Sequence, residues 1–469
     1  PYWYAEELLA DGCGILVPFA SSDALAHAIL HLLEDETERH AIRKQAYRAG
    51  RRMIWPAVAR DYMQTFERAC QDRCTRPRAV FAAKTLAEKQ MELPTLNLGH
   101  LRRLTDDVGI LQHAIATVPN YTEGYTTDDN ARALILTVYL EELGKEHLAQ
   151  TSGLATRYLA FLWHAHNPHN GHFRNFMAYD RRWLEDRGSP DSHARALWGL
   201  GAVLGRSRQE GLRRAASRLF EMALPGVRDF PDLRPAAFAL IALHDYLPHF
   251  SGDRAAQEVR IVLAERLFAA LKRSSSSEWP WFEDKLSYAN AALPHALLLC
   301  GRSLKRSAWV EASLQSLNWL MTVQTSPAGH FAPVGNRGFY PRGGVLARFD
   351  QQPIEAHASV SACIGAYRAT GDDCWRQQAR RAFEWFLGRN DIGVSLYDPV
   401  TGGCCDGLSA EGASINQGSE STLSFLLSWA ELRLLEQALA TDNRAPNTNV
   451  PRLIGAQRRR EGSLEAVEP

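Results

Sequence analysis

The sequence has no charge excess. Its 469 residues hold 53 Lys and Arg against 53 Asp and Glu, so no net field draws the chain to nucleic acid or to an anionic membrane. No apolar run reaches the roughly 18 residues that a membrane-spanning helix needs. The eight cysteines, at 13, 70, 74, 300, 363, 374, 404 and 405, form no CxxC pair. The CxxxC at Cys70 and Cys74 lacks a second pair of ligands, so neither a zinc framework nor any other metal or cofactor is expected. The thiols read as reduced and structural, in a cytoplasmic protein. Phosphate loops are missing too. The glycines of RGG at 342–344 and GGCCDG at 402–407 serve turns and follow no buried strand. The DDxxD motif of an isoprenoid cyclase is absent as well, because Asp129 is followed by Asn130-Ala131-Arg132.

What is present falls into four stretches: 1–70, 71–95, 96–440 and 441–469. Residues 71–95 are basic and weakly periodic, and are expected to be a linker. The stretch 441–469, rich in Asn, Pro, Arg and Glu, is expected to be disordered. Within 1–70 the order of a helix end, a Gly turn, the apolar run GILVPF (14–19) and a helix capped by Ser22 or Asp23 predicts a short α/β fragment. That segment resembles the C-terminal end of bacterial group 1 (family 4) glycosyltransferases. The matching residues are Glu7, Asp11, Gly12, Gly14, Leu16, Val17 and Pro18, then Asp23, Ala24, Leu25 and Ala26, with Trp55 opening the closing helix. Such enzymes enclose a nucleotide sugar between two complete Rossmann-like domains. The resemblance therefore implies the truncated tail of a transferase, without turnover of its own.

Between 96 and 440 the pattern is helical and repeats. Six segments open on a polar cluster and continue as small and apolar residues: TDDNARALILTVY, DSHARALWGLGAVL, PDLRPAAFALIAL, YANAALPHALLLC, EAHASVSACIGAY and ESTLSFLLSWAEL. They begin near 127, 191, 231, 288, 355 and 420. Amphipathic helices lie between them, and LRRLTDDVGILQHAIAT (101–117) is expected to supply the first. A helix apolar on all sides must be buried, whereas one with a charged stripe can face solvent. Six of each suit two concentric rings, so the expected fold class is mainly α, an (α/α)6 barrel with long loops at one mouth. Over about 340 residues this arrangement resembles the six-hairpin glycosidase superfamily. The Asp128-Asp129 pair resembles the Asp-Asp pair of some endo-α-mannanases within it.

In such a toroid every inner helix starts at the same mouth, which then gathers acids, amides and aromatics suited to a sugar. Glycosidic-bond cleavage needs two carboxyl groups flanking the bond, one protonated at working pH. The catalytic candidates are Asp128, Asp129, Asp191 and Glu355. One member of the Asp pair is expected to cap its helix. The other would face Glu355 across the funnel, with Asp191 beside it. Glu355 stands out because Glu is a poor helix cap. Tyr125, Trp183 and Trp281 would stack on the sugar, and Arg132 or Arg195 would steady the ionised acid. His193, Glu283, Tyr288, Asn290, His357 and Glu420 complete the expected substrate contacts. Asp232 reads as structural, and HAHNPHNGH (164–172) as a surface turn, since its spacing is irregular for a metal. The expected partner is an oligosaccharide or polysaccharide. Two alternatives stay open. One is a polysaccharide lyase working through Tyr288, His193 and Arg195 on an anionic chain. The other is a non-catalytic sugar-binding module assisting the upstream transferase.

Overall fold

Six helices close into a ring: Thr127–Leu143, Pro190–Arg206, Leu233–Tyr246, Ala292–Ser303, Pro353–Thr370 and Ser419–Asp442. Each packs on the next, and the sixth packs back on the first. They are the six inner segments expected from the sequence. The computed structural model describes residues 3–75 and 92–442, except 152 and 229. The chain divides into two compact units between Met91 and Glu92. Most of the expected linker (76–91) and of the expected tail (443–469) lies outside the described residues.

Five longer helices lie outside the ring: Leu154–Ala165, Glu210–Ala223, Arg254–Ser274, Ser307–Val323 and Asp373–Glu384. Their sequences dictate that place. Glu210–Ala223 buries only one stripe, Leu212, Ala216, Leu219, Phe220 and Ala223, while Thr127–Leu143 is buried almost all round. The expected first outer helix over 101–117 is a correction. Only Gly99–Leu104 is helical, set against the sixth inner helix. Beyond it Asp106 Oδ1 accepts the backbone N–H of Val108 and Gly109, an Asx turn that competes with helix continuation. The chain then makes the ribbon Ala114–Ile115 against Val118–Pro119. A second difference concerns 14–19 in the first unit. No described residue pairs with this run, and a lone strand has no ladder. This unit shows the helices Trp3–Leu8, Ser22–Glu34, Glu36–Gly50 and Trp55–Thr75, and none of residues 3–68 is buried.

All six inner helices run the same way. Tyr139, Arg206, His244, Arg302, Arg368 and Leu434, one from the later part of each, line a single cavity of about 90 Å³ on the ring axis. The helix starts therefore share the opposite mouth, where the long loops gather. Close backbone approach sets the bore. A Cβ on Gly201 would lie 2.6 Å from the carbonyl oxygen of Ala242, and one on Gly205 would lie 2.2 Å from that of Asp245. Both glycines let the second and third inner helices touch. No helix among the described residues is long and apolar enough to cross a membrane.

These contacts are testable. Gly205→Ala should destabilise the barrel by about 1–3 kcal/mol through overpacking. Gly211→Ala, where nothing lies within 4 Å of the new methyl, should be neutral or stabilising by up to ~1 kcal/mol. Equal effects of the two in denaturant melts would contradict the tight helix contact.

Candidate active site

The first turn of the first inner helix is not capped by its own acids. Asn175 Oδ1, from the following hairpin, accepts the N–H groups of Thr127 and Asp128 at 3.1 and 3.3 Å. This corrects the expectation that Asp128 or Asp129 is the cap, and leaves both carboxylates available. The second inner helix is treated alike: Ser189 Oγ accepts the N–H of Ser192, so Asp191 is not spent on the helix end.

Arg132 organises the first group of acids. Its guanidinium donates to Asp129 Oδ1 at 2.6 Å and to Glu420 Oε2 at 2.7 Å, and lies 3.2 Å from Asp128 Oδ2. Thr126 Oγ1 donates to the other oxygen of Asp129 at 2.7 Å. Three carboxylates thus share one cation. Burial, together with the charge of Asp128, pushes Asp129 up to about 6, and Arg132 offsets only part of that rise. Asp128 and Glu420 keep side chains open to solvent, at 20% and 44%, whereas Asp129 is at 4%.

Asp191 has the opposite setting. Burial alone would raise it, but Arg195 Nε donates to Oδ2 at 2.6 Å and the Tyr288 hydroxyl donates to Oδ1 at 3.1 Å. The net effect holds Asp191 below the usual carboxylate range. Tyr288 in turn is pushed up by burial and by the Asp191 charge. Arg234 extends the network. It grips Glu283 with one nitrogen at 3.0 and 2.8 Å, reaches Asn290 Oδ1 at 3.3 Å, and donates to the Tyr288 carbonyl. Asn290 Nδ2 then donates to Glu355 Oε2 at 2.9 Å. The expected candidates Asp128, Asp129, Asp191, Arg132, Arg195, Tyr288, Glu283, Asn290, Glu355 and Glu420 thus fall into two hydrogen-bonded groups at the ring's mouth.

Several candidates occupy different places from those expected. Glu355 is turned sideways. Ile354, His357, Ala358 and Ser361 line a small cavity on the axis, so Glu355, about 100° round the helix from Ile354, points to Asn290 instead. It is buried, with Oε1 unpartnered, and burial pushes it up to about 7. His193 lies two residues beyond Asp191 and faces the outer ring. Its Nδ1 accepts the N–H of Phe173, its Nε2 bonds the carbonyl of Ala223, and burial pushes it down to about 3. It joins two hairpins and is not a mouth residue. Trp281 is fully buried against Trp319 and offers no face to a sugar. Tyr125 is also buried, its hydroxyl donating to Asp106 Oδ2 at 2.5 Å. Trp183 is half-buried, edge-on to Phe161 and bonded to His164 of the first outer helix. Glu283 is engaged by Arg234. His357 does face the axis, parallel to Trp198 at 6.4 Å, and Trp198 is parallel to Phe238 at 5.8 Å. These rings form a floor beneath the acids. The histidine-rich run holds the ribbon His166–Asn167 against His172–Phe173, and no metal-binding group is found among the described residues. Six cysteines are free thiols, of which Cys300, Cys363 and Cys404 are buried. Sequence reasoning missed the capping role of Asn175. The role of Arg234 has a local signal, an Arg in the first turn of an apolar helix.

No family model and no curated protein matches the sequence. Solved structures do match, at low identity. A sugar epimerase from a ruminal bacterium is 11% identical, with a TM-score of 0.57 over 74% of this chain and 99% of its own. A cellobiose 2-epimerase from Bacillus thermoamylovorans is 14% identical, with a TM-score of 0.56 over 73% and 96%. A family GH76 α-mannanase from Bacteroides thetaiotaomicron is 11% identical, with a TM-score of 0.51 over 73% and 95%. The second unit has the (α/α)6 barrel of these six-hairpin glycosidase-like proteins.

The two raised acids have a thermodynamic signature. Asp129 and Glu355 hold their protons in the folded state, while the unfolded chain ionises them above about pH 4. Stability should therefore fall as pH rises from about 4 through about 6 for Asp129 and 7 for Glu355. Glu355→Gln should lose less stability than wild type between pH 4.5 and 7.5, by on the order of 2–3 kcal/mol in urea melts. Parallel pH profiles would remove the assignment.

Proposed function

We propose that the barrel is a carbohydrate-active enzyme that cleaves or transfers glycosidic bonds of a neutral oligosaccharide, using the acids at its mouth. The observation that carries this reading is the opposite treatment of neighbouring carboxylates. Asp129 shares one guanidinium with two other acids and is raised, whereas Asp191 has Arg195 to itself and is lowered. Groups pushed apart in this way divide acid and base work. Asp129, the raised member of the pair, would hold the proton given to the leaving glycosidic oxygen, and Asp128, the more open of the two, would contact the substrate beside it. Asp191, ionised, would stabilise positive charge at the anomeric carbon or activate the incoming hydroxyl. Glu355 becomes a positioning residue acting through Asn290. The lyase reading loses support because the Tyr288 phenol is raised and already donates to Asp191. The first unit would be the C-terminal part of a glycosyltransferase Rossmann-like domain.

A second reading is sugar epimerisation or isomerisation. It is favoured by His357 and by His295, which burial lowers to about 4, on the axial cavity beneath the acids. Imidazoles there could relay a proton through a single water to a sugar carbonyl seated above them.

Asp128→Asn and Asp191→Asn should each lower bond cleavage of gluco- or manno-oligosaccharides by roughly 10²-fold or more, with unchanged helicity. Reducing ends measure cleavage, and deuterium uptake at C2 in heavy water measures epimerisation. Full activity in both variants would sink the carboxylate mechanism; deuterium uptake without new reducing ends would select the second reading.

A further inference from the structure

Beside the mouth three tyrosines are stacked from the interior outward. Tyr125 is buried and anchored through its hydroxyl on Asp106. Tyr179 lies nearly parallel to it at 6.3 Å and 14°, and Tyr121 lies on Tyr179 at 4.6 Å and 27°. The outer two are open to solvent, Tyr121 at 52% and Tyr179 at 48%. Single exposed aromatics need no explanation. A stack of this kind is held open by its surroundings. Tyr121 starts a 3₁₀ turn capped by Asn120, whose Oδ1 accepts the N–H of Thr122. Tyr179 follows the strand Phe176–Met177, which pairs with Tyr125–Thr126. Its turn is pinned by Arg181, which donates to Asp107 at 2.9 Å.

We propose that Tyr121, backed by Tyr179, forms an accessory subsite that stacks on a pyranose ring of a glycan longer than a disaccharide. The proposal rests on the reading that the mouth accepts a neutral glycan. The position follows from the chain. Asn175, which holds the first turn of the Asp128 helix, is four residues before Tyr179, and four residues of extended strand span about 13 Å at most. That keeps the platform close to the first turn of the Asp128 helix, within reach of a later ring of a glycan seated at the acids. The chemistry also fits. A tyrosine face accepts the C–H side of a sugar, its hydroxyl bonds sugar hydroxyls, and its two side-chain torsions cost little ordering. Arg181 and Asp107 cancel beside the platform, so it does not select an anionic chain.

Calorimetric titration of the full chain in an Asp128→Asn background, which limits turnover, tests this with tetra- and disaccharides of the cello, malto and manno series. The parent should bind one tetrasaccharide more tightly than its disaccharide. Tyr121→Ala should remove that preference by weakening the tetrasaccharide about 2- to 10-fold, leaving the disaccharide unchanged. Tyr121→Phe, which keeps the stack, should retain it. A length preference that survives Tyr121→Ala and Tyr179→Ala overturns the subsite but leaves the glycan reading standing. No binding of any sugar in the panel by the parent overturns both.

Discussion

Six parallel helices point their N-termini at one mouth, and each brings a partial positive charge of roughly half a proton. That convergence allows Asp128, Asp129, Asp191, Glu355 and Glu420 to crowd together without forcing the barrel apart. Three arginines, Arg132, Arg195 and Arg234, then gather the acids into two hydrogen-bonded groups, with Asp129 raised in one and Asp191 lowered in the other. The opposite end carries the complementary charge: Arg206, Arg302 and Arg368 sit in the last turns of inner helices. The barrel is polarised along its axis, and the chemistry follows the polarity.

Between the two ends lies the layer of His357, Trp198 and Phe238. The Arg195 guanidinium stacks on Phe238 at 4.0 Å, so the cation that depresses Asp191 also forms part of this floor. Trp198 Nε1 has no hydrogen-bond partner and His357 Nε2 lies 3.8 Å from Glu431 Oε1; both residues line the cavity of about 20 Å³ on the axis, room for about one water or hydroxyl. The same barrel is found in both mannanases and epimerases.

The ring was legible in the sequence because burial on all sides leaves a continuous apolar helix with its polar residues confined to the start. Failures came where a residue's direction mattered more than its position. His193 stands two residues from Asp191, which is more than half a turn away, and so faces Phe173 and Ala223. Glu355 was picked because it is a poor cap, yet one step along the helix, Ile354 is the residue on the axis. Trp281 looked like a loop aromatic, but Trp319 of the outer helix Ser307–Val323 covers it. Arg234 and Asn175 act on residues 49 and 47 positions away in the chain, a relation no local pattern contains. The first outer helix failed for a local reason, the Asx turn at Asp106.

The cap on the Asp128 helix belongs to another hairpin, and this ties two mobile-scale events together. Any movement that draws the 174–185 loop outward must first free the amide hydrogens of Thr127 and Asp128 from Asn175. Those two amides are then natural reporters for hydrogen exchange: their protection measures, without any substrate, how often the rim lifts from the acids.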